Sequence, residues 1–453
     1  MKLNLNIEKL AELTNGEILK GKGKINSFAT DTRKLKKGDI FFALKGNNFD
    51  GNDFIKEAIE KGAIGIICEK NRFPKSFLNK VKLAIEVENS LKTLHTIAAY
   101  HISRFKIPVI SITGSNGKTT TKEMIKYVLS SSGKVCSNFG NFNNQFGLPL
   151  SVLELNKKHK YAIFELGASK RGDVAELAKI IKPNISVITT IAPEHLEFFK
   201  TMENIFETET EAIDFLKKDG KVVYNGDNIY LKRLKNKNIN SFTFGFEKDN
   251  ELRVEKIKDN FYFNYKAKKI PVKLKNDVEH NYLNAAAAFL VSVLCKIETK
   301  KILERLAKFK GVKMRMQEFK LNKNKIIFDA YNANPQSMHS AIESLKKKKP
   351  KILILGDMKE LGKYSLKYHR ELGKYLLKNK FDMAYLIGKE IKETYKVLKD
   401  KKENVKYFLS ADLAKSEINR ILKDKSGFYV LFKASRSMHF ENLLDKYGQK
   451  KVH

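Results

Sequence analysis

The chain has 453 residues, of which 42% are hydrophobic, and carries a formal net charge of +36 at pH 7. At roughly 150 residues per domain, about three domains are expected. The longest apolar stretch, residues 285–295, is too short and interrupted to span a bilayer, and the first residues hold no secretory apolar core. We therefore expect a cytoplasmic protein without a membrane segment. The odd number of cysteines (Cys68, Cys136 and Cys295) without C-x-x-C spacing argues against a disulfide framework and a zinc site.

The positive charge first suggests a nucleic-acid-binding protein. Of the 87 lysine and arginine residues, however, only 11 are arginine, and the lysines are spread through every segment. The planar guanidinium of arginine suits phosphates and bases better than the ammonium of lysine, because it can donate two parallel hydrogen bonds. Lysines dispersed along the chain therefore indicate a compositional bias rather than a surface for binding nucleic acid. We expect no nucleic-acid partner, although a positive field would steer anionic ligands such as nucleotides.

The elements in chain order indicate an α/β protein. The first ~85 residues alternate short strands and helices, and residues 91–105 form a predicted linking helix. Apolar runs then alternate with helical segments up to about residue 312, with predicted strands at 161–166, 185–191 and 222–224. A third series has predicted strands at 326–328, 351–355, 383–387, 405–408 and 428–432. Helical patterns follow the first four of these, which predicts a doubly wound, mostly parallel sheet.

The clearest chemistry lies in residues 112–121, which read Ile-Thr-Gly-Ser-Asn-Gly-Lys-Thr-Thr-Thr after an apolar run. A buried strand that enters a tight glycine turn and opens a helix directs backbone N–H groups at an anion. Lys118 adds a cation for terminal phosphates, and the Thr119 hydroxyl suits Mg²⁺. Ile112 stands where the full phosphate-loop pattern has its first glycine, and the alternative is a glycine turn with an exposed lysine. We predict nucleotide binding by Gly114, Ser115, Asn116, Gly117, Lys118, Thr119 and Thr120.

Two further polar residues follow predicted strands of the same sheet. Glu165 ends one apolar run, and His195 lies just beyond another. Because ligands gather at the carboxyl ends of parallel strands, both side chains are candidate ligands for a second Mg²⁺. The alternatives are a helix-capping glutamate and a structural histidine.

Motifs along the whole chain resemble those of the Mur ligases, the ATP-dependent amide-forming family that builds the stem peptide of peptidoglycan. They are residues 30–33, 38–46, 49–54, 114–120, 143–149, 165–167, 195–197, 280–285, 329–338, 355–362 and 433–438. The last three resemble the branch of the family that adds D-alanyl-D-alanine. The resemblance implies a UDP-sugar-binding domain (1–86), a central ATP-binding phosphate-loop domain (87–312) and a Rossmann-like domain (313–453) that closes on ATP and binds the dipeptide.

The resemblance also implies roles for individual residues. Lys118, Glu165 and His195 would be catalytic, with Thr119, Glu165 and His195 on Mg²⁺. Asn281 and Asn284 would lie beside the adenine, and Arg315 and Asp329 would close over phosphate and ribose. The candidates for substrate binding are Asp31, Thr32, Arg33 and Lys45 for the UDP group, Asn143 and Asn144 for the substrate side, and Asn332, Asn334 and Ser337 for the dipeptide. Turn formation and capping are the alternative for such Asn and Asp residues.

One departure from the family concerns a lysine that becomes carbamylated and helps to bind Mg²⁺. No lysine lies between Lys200 and Lys217, and Glu209 occupies the position by register. Either its carboxylate replaces the carbamate as a metal ligand, or Glu209 is one of several exposed helix acids.

The implied activity joins D-alanyl-D-alanine to UDP-MurNAc-tripeptide through an acyl phosphate, with ATP and Mg²⁺ as cofactors. We expect a monomer. The alternatives are another Mur ligase or a folylpolyglutamate synthase and, from other classes, a basic nucleic-acid-binding phosphate-loop protein or an inactive scaffold.

Overall fold

A computed structural model describes residues 2–46 and 49–452. Its first sheet has the order β1-β3-β4-β5-β6-β2. Its strands are β1 (Lys2–Asn6), β2 (Glu17–Lys20), β3 (Lys24–Ala29), β4 (Ile40–Phe42), β5 (Gly65–Glu69) and β6 (Leu83–Val87). Helices α1 (Ile7–Thr14) and α2 (Ile55–Glu60) accompany it, and α3 (Ser90–Ser103) leads to the next sheet. The predicted linking helix is thus present, with Asn89 capping its start.

The central sheet has nine strands in the order β15-β14-β13-β12-β11-β10-β7-β9-β8. They are β7 (Val109–Thr113), β8 (Lys134–Ser137), β9 (His159–Glu165), β10 (Ile185–Ile188), β11 (Lys221–Asn225), β12 (Ser241–Gly245), β13 (Leu252–Ile257), β14 (Asn260–Tyr265) and β15 (Lys268–Val272). The helices are α4 (Lys118–Leu129), α5 (Gly147–Val152), α6 (Asp173–Ile181), α7 (Leu196–Phe199), α8 (Met202–Thr210), α9 (Glu279–Leu294) and α10 (Thr299–Lys308).

The burial pattern distinguishes the parallel strands of this sheet from the antiparallel strands at its edge. β7 and β10 are buried at every residue, as expected for parallel strands covered by helices on both faces. β13 and β14 alternate buried with more exposed residues and pair antiparallel with each other and with β15. The predicted strand at 185–191 was too long, because β10 ends at Ile188. The antiparallel strands β13, β14 and β15 were not predicted.

The third sheet has the order β16-β17-β21-β18-β19-β20. Its strands are β16 (Gln317–Leu321), β17 (Asn324–Asp329), β18 (Lys351–Gly356), β19 (Met383–Ile387), β20 (Val405–Phe408) and β21 (Tyr429–Lys433). The helices are α11 (Pro335–Glu343), α12 (Ser365–Leu377), α13 (Lys392–Leu398), α14 (Ala411–Asp424) and α15 (Lys446–Val452). Only β16 pairs antiparallel within this sheet as described, so the predicted doubly wound, mostly parallel α/β architecture is confirmed.

Shared apolar clusters join the sheets. One cluster contains Ile188 and Phe199 of the central region together with Met338 and Leu353 of the C-terminal region. Removal of such surface from water stabilises the contact between the two regions. Among the described residues, no helix combines the length and apolar character that crossing a membrane requires. The domain boundaries at residues 86 and 312 stay predictions.

Candidate active site

A cavity of about 730 Å³ lies at the carboxyl ends of β7, β9 and β10, where the C-terminal region faces the central sheet. Predicted site residues that line it are Ser115, Asn116, Gly117, Lys118, Thr120, Asn143, Asn144, Glu165, His195, Asn281, Asn284, Arg315, Asp329, Asn332 and Ser337. Predicted site residues outside this lining are Gly114, Thr119, Asn334, Glu209, Asp31, Thr32, Arg33 and Lys45. The structure therefore brings together segments separated by more than two hundred positions in the sequence.

Two glycines allow the loop between β7 and α4 to pass close to its neighbours. Gly114 has φ +115° and Gly117 has φ +84°, both in the left-handed region that glycine adopts at little cost. A Cβ atom on Gly114 would lie 2.3 Å from Thr189 Oγ1, and one on Gly117 would lie 2.5 Å from Asn284 Oδ1. The tight turn thus requires glycine for space as well as for backbone conformation.

We expect Gly114→Ala to weaken nucleotide binding by at least about tenfold, because the loop must move away from Thr189. The matched control is Gly427→Ala, since Gly427 also has a positive φ (+80°) but no described atom within 4 Å of an added Cβ. That control carries only the backbone strain of about 1–2 kcal/mol. Titration with an ATP analogue and thermal melting test both variants, and equal nucleotide affinities would contradict the prediction.

Lys118 begins α4 and points back over the loop. Its ammonium donates to the Gly114 carbonyl and lies 3.7 Å from Glu194 Oε2. Burial alone would lower the pKa of Lys118, but the nearby carboxylates, chiefly that of Glu194, raise it overall. The side chain is only 15% exposed, so the alternative of an exposed lysine in a glycine turn is wrong. Lys118 is held as a cation at the cavity wall.

Thr119 and Glu165 form the centre of a polar network. The Thr119 hydroxyl donates to Glu165 Oε2 at 2.8 Å, and Asn143 Nδ2 donates to Glu165 Oε1 at 3.0 Å. Arg315 Nη2, from the segment entering the C-terminal sheet, donates to Thr119 Oγ1 at 2.9 Å. The Arg315 guanidinium also lies 4.2 Å from the ring centroid of Tyr331. Glu165 therefore lines the cavity with both carboxylate oxygens hydrogen-bonded to Thr119 and Asn143, and its role as a metal ligand stays a prediction.

These groups fit a Mg²⁺ ion bound together with phosphates. Mg²⁺ prefers oxygen ligands and is held by one or two carboxylates plus substrate phosphates and water. Thr119 supplies a hydroxyl and Glu165 a buried carboxylate. In the described part of the chain, no three His, Cys, Asp or Glu side chains converge enough to hold a metal by themselves. The donor set thus suits an ion that arrives with a nucleotide.

His195 meets the C-terminal region directly. It has φ +46°, and its Nδ1 lies 2.5 Å from Glu360 Oε2. The Glu197 backbone N–H also donates to the Glu360 carbonyl at 3.0 Å. Burial would lower the pKa of His195, but Glu360 and Glu194 raise it overall, and His195 lowers the pKa of Glu360. Glu360 was absent from the predicted site residues, and only its place in the motif at 355–362 could have signalled it.

Glu194 was also missed by the sequence analysis. It is 3% exposed, lines the cavity, and its Oε1 has no hydrogen-bond partner among the described residues. Burial raises the pKa of Glu194 to about 7, although Lys118 opposes this shift. A glutamate beside a histidine carries no distinctive sequence signal, so only the fold reveals it.

Glu209 lies beneath the phosphate loop. Its carboxylate accepts the Gly114 N–H, and its carbonyl accepts the Thr113 hydroxyl at 2.7 Å. The residue is 1% exposed, so the alternative of an exposed helix acid is wrong. Glu209 braces the loop from below, and a role as metal ligand stays a prediction.

Amide side chains connect the phosphate loop to α11. Asn334 Nδ2 donates to Asn116 Oδ1 at 2.9 Å, and Asn116 Nδ2 donates to Gln336 Oε1 at 2.8 Å. Asn334 also caps α11 through a reciprocal pair with Ser337. Capping, the alternative interpretation for these residues, is thus present together with a contact to the loop.

The remaining cavity residues are fixed by neighbours. Asp329 Oδ2 lies 2.8 Å from the buried Lys433 ammonium, and its Oδ1 accepts the Met316 N–H at 3.1 Å. On α9, Asn284 Oδ1 accepts from the Thr121 hydroxyl at 3.2 Å, beside Asn281. Other cavity residues are held by their own backbones: Asn332 accepts the Ala333 N–H, and Asn144 accepts the Gly147 N–H at 2.8 Å.

The predicted UDP residues follow β3 and β4 of the first sheet. Arg33 Nη2 lies 2.8 Å from Asp31 Oδ2, and this pairing lowers the pKa of Asp31 to about 2. Thr32 is buried beside them, and the Lys45 N–H donates to Ser90 Oγ at 3.0 Å. The structure does not place these four residues in the lining of the cavity.

His369 supports the loop that carries Glu360. The Met358 N–H donates to its Nε2 at 3.1 Å, and its Nδ1 lies 2.8 Å from the Ser365 carbonyl. This arrangement needs a neutral ring, and burial lowers the pKa of His369 below 6.5. The imidazole of His369 binds a proton more readily in the unfolded chain than in the folded one. Its contribution to stability is therefore complete above the pKa of the unfolded state and is lost as the pH falls through the pKa of the folded state.

We therefore expect the free energy of unfolding to decrease below pH 6.5, by at most about 1.4 kcal/mol per pH unit for this group. His369→Phe should be less stable at pH 7.5 but show a shallower fall toward pH 5. Urea unfolding at several pH values measures both slopes. Identical slopes for the two proteins would contradict the role given to His369.

Comparison with known proteins agrees with this geometry. Profiles described as Mur ligase family, catalytic domain; Mur ligase middle domain; and Mur ligase, glutamate ligase domain match residues 24–102, 112–292 and 314–436. The UDP-N-acetylmuramoyl-tripeptide–D-alanyl-D-alanine ligase of Buchnera aphidicola subsp. Baizongia pistaciae is 34% identical over 98% of each chain.

Two solved structures share the architecture. MurF from Acinetobacter baumannii aligns with a TM-score of 0.89 at 27% identity, covering 98% of this chain and 99% of its own. MurF ligase from Thermotoga maritima, solved in complex with ADP, gives a TM-score of 0.83 at 30% identity over 94% and 98% of the two chains. With profiles matching all three regions and relatives matching end to end, the chain belongs to the Mur ligase family.

Proposed function

We propose that the protein is an ATP-dependent ligase that joins D-alanyl-D-alanine to UDP-MurNAc-tripeptide, giving the pentapeptide, ADP and phosphate in peptidoglycan precursor synthesis. The observation that carries this proposal is a phosphate loop in which Thr119 is hydrogen-bonded to both Glu165 and Arg315, while Lys118, Glu165 and Arg315 line one cavity. The D-alanyl-D-alanine ligase name of the relatives supports the substrates.

The first step activates a carboxylate. An oxygen of the tripeptide carboxylate attacks the γ-phosphorus of ATP, the bond to the β-phosphate oxygen breaks, and ADP leaves. Catalysis of such a transfer is mainly positioning and stabilisation of charge on the phosphoryl oxygens. Lys118, Arg315 and the loop N–H groups supply fixed positive charge and donors on one side of the cavity.

Mg²⁺ would be held by Thr119, Glu165 and His195, and when bound it would neutralise phosphate charge. Asn143 fixes the Glu165 carboxylate through its 3.0 Å hydrogen bond. Asn281 and Asn284 are proposed on the adenine side, and Asp329 on the ribose side.

The second step forms the amide. The neutral dipeptide amine attacks the acyl carbon, the C–N bond forms, phosphate leaves with the acyl C–O electron pair, and the nitrogen gives up one proton to the departing phosphate. Water must be excluded meanwhile, because the acyl phosphate hydrolyses. Contacts of Asn334 and Gln336 with Asn116, and of Glu360 with His195, hold the C-terminal region over the cavity. Asn332, Asn334 and Ser337 are proposed near the dipeptide, Asn143 and Asn144 near the tripeptide, and Asp31, Thr32, Arg33 and Lys45 near the UDP group.

The test is phosphate release from ATP with UDP-MurNAc-tripeptide and a panel of amines. We expect release and a pentapeptide product only with D-alanyl-D-alanine. Release with a single amino acid, or with glutamate and a folate, would reassign the substrate within the family. Hydrolysis stimulated by DNA or RNA and suppressed steeply by salt would instead support nucleic-acid binding.

A further inference from the structure

Glu194 is a buried carboxylate whose hydrogen bonding is incomplete. Its Oε1 has no partner among the described residues, although the side chain is 3% exposed and borders the cavity. Its Oε2 lies 3.7 Å from the Lys118 ammonium, beyond the 2.7–2.9 Å typical of a charge-assisted hydrogen bond. An uncompensated buried charge is costly, so such a group is expected to have a partner in the working state.

The neighbouring cation is not free to satisfy Glu194 when nucleotide is present. The Lys118 ammonium already donates to the Gly114 carbonyl, and in the proposed function it contacts the terminal phosphates. Phosphate oxygens would then approach Glu194 with charge of the same sign. A cation shared between carboxylate and phosphate removes that repulsion, and Mg²⁺ favours such oxygen ligands.

Two other carboxylates near Lys118 accept hydrogen bonds, and one of them, Glu165, is already proposed to hold Mg²⁺. Glu209 accepts the Gly114 N–H from below the loop, and Glu165 accepts from both Thr119 and Asn143. Glu194 is the carboxylate of this group with an oxygen left unpaired in the described structure.

We propose that Glu194 provides an oxygen ligand, or a water-mediated one, to a divalent cation that enters with the nucleotide phosphates. This inference rests on the proposed ATP-dependent function. It assigns to Glu194 a binding role that is separate from that of Glu209, whose carboxylate braces the loop.

The test measures Mn²⁺ binding by electron paramagnetic resonance, with Mn²⁺ standing in for Mg²⁺ and a non-hydrolysable ATP analogue at saturation. Glu194→Gln keeps the shape and removes the charge, and we expect Mn²⁺ affinity to fall by about tenfold or more. Analogue binding without metal should be unchanged or tighter. Unchanged Mn²⁺ affinity would overturn the proposal and leave Glu194 as a counter-ion of Lys118.

Glu441→Gln is the matched control. Glu441 is also a buried glutamate, with one oxygen unpartnered in the described structure and the other 2.7 Å from an arginine, Arg436. We expect this variant to bind Mn²⁺ like the wild type. If Glu194→Gln does not fold, Glu194→Asp, which keeps the charge but shortens the reach, should also weaken Mn²⁺ binding, and wild-type affinity would overturn the proposal. A wild-type protein that binds no ATP analogue would instead contradict the proposed function.

Discussion

Replacing Lys118 by alanine is expected to reduce pentapeptide formation by about a thousandfold or more, since a preorganised charge at a transferring group is worth several kcal/mol. The ammonium is fixed at the cavity wall by the Gly114 carbonyl and surrounded by carboxylates that keep it charged. Its loss would also remove the cation that chiefly opposes the raised pKa of Glu194. Coupled-enzyme detection of ADP and chromatography of the pentapeptide measure the change.

The control for this variant is Lys126→Ala. Lys126 lies on the same helix, is 38% exposed, and pairs only loosely with Glu123 at 3.8 Å. We expect near wild-type turnover from it, because exposed ion pairs contribute little. Undiminished product from Lys118→Ala would contradict the assignment of the phosphate site.

Arg315→Ala is expected to lower kcat by about a thousandfold while changing affinity for an ATP analogue much less, as for arginines that reach a phosphoryl group from a second structural unit. Arg315 comes from the segment that enters the C-terminal sheet, stacks on Tyr331, and donates to Thr119. It therefore reaches the phosphate loop only when the two regions are together. Steady-state kinetics and analogue titration separate the two effects.

Arg420→Ala serves as the comparison, because Arg420 is 61% exposed and pairs with Glu417 on the same helix of the C-terminal region. We expect its kinetics to match the wild type. A loss in Arg315→Ala that appears only as weaker nucleotide binding would show that Arg315 contributes binding rather than catalysis.

Much of the fold could be predicted because parallel strands covered on both faces give continuous apolar runs. The apolar runs predicted at 351–355 and 383–387 correspond to β18 and β19, which are buried at every residue except Met383. The antiparallel meander of β13, β14 and β15 was not predicted. Its strands are half-exposed and rich in polar residues such as lysine and asparagine, so their sequences resemble those of loops. The end of β10 was misplaced because Ile191 is apolar but packs into the contact with the C-terminal region.

The site residues also separate into those that local motifs predict and those that only the fold reveals. Lys118, Thr119 and Glu165 belong to local motifs whose spacing indicates their chemistry, and the structure joins Thr119 to Glu165 by a hydrogen bond and places Lys118 in the lining of the same cavity as Glu165. Glu194 carries no distinctive local signal and Glu360 only its place in the motif at 355–362, because the importance of both depends on which distant segment lies opposite. Glu209 could be placed on a helix from sequence, but its contact with the Gly114 N–H depends on the packing of α8 under the loop.

The seam between Asn116 and α11 is made of uncharged carboxamides. A small molecule with amide-like donors and acceptors could compete for this seam without imitating a polyphosphate. By holding α11 away, it would keep Arg315 from reaching Thr119. Because Asn116 belongs to the loop predicted to bind the nucleotide, the selectivity of such a compound would come from Asn334 and Gln336 on α11 rather than from the loop shared by many ATP-binding proteins.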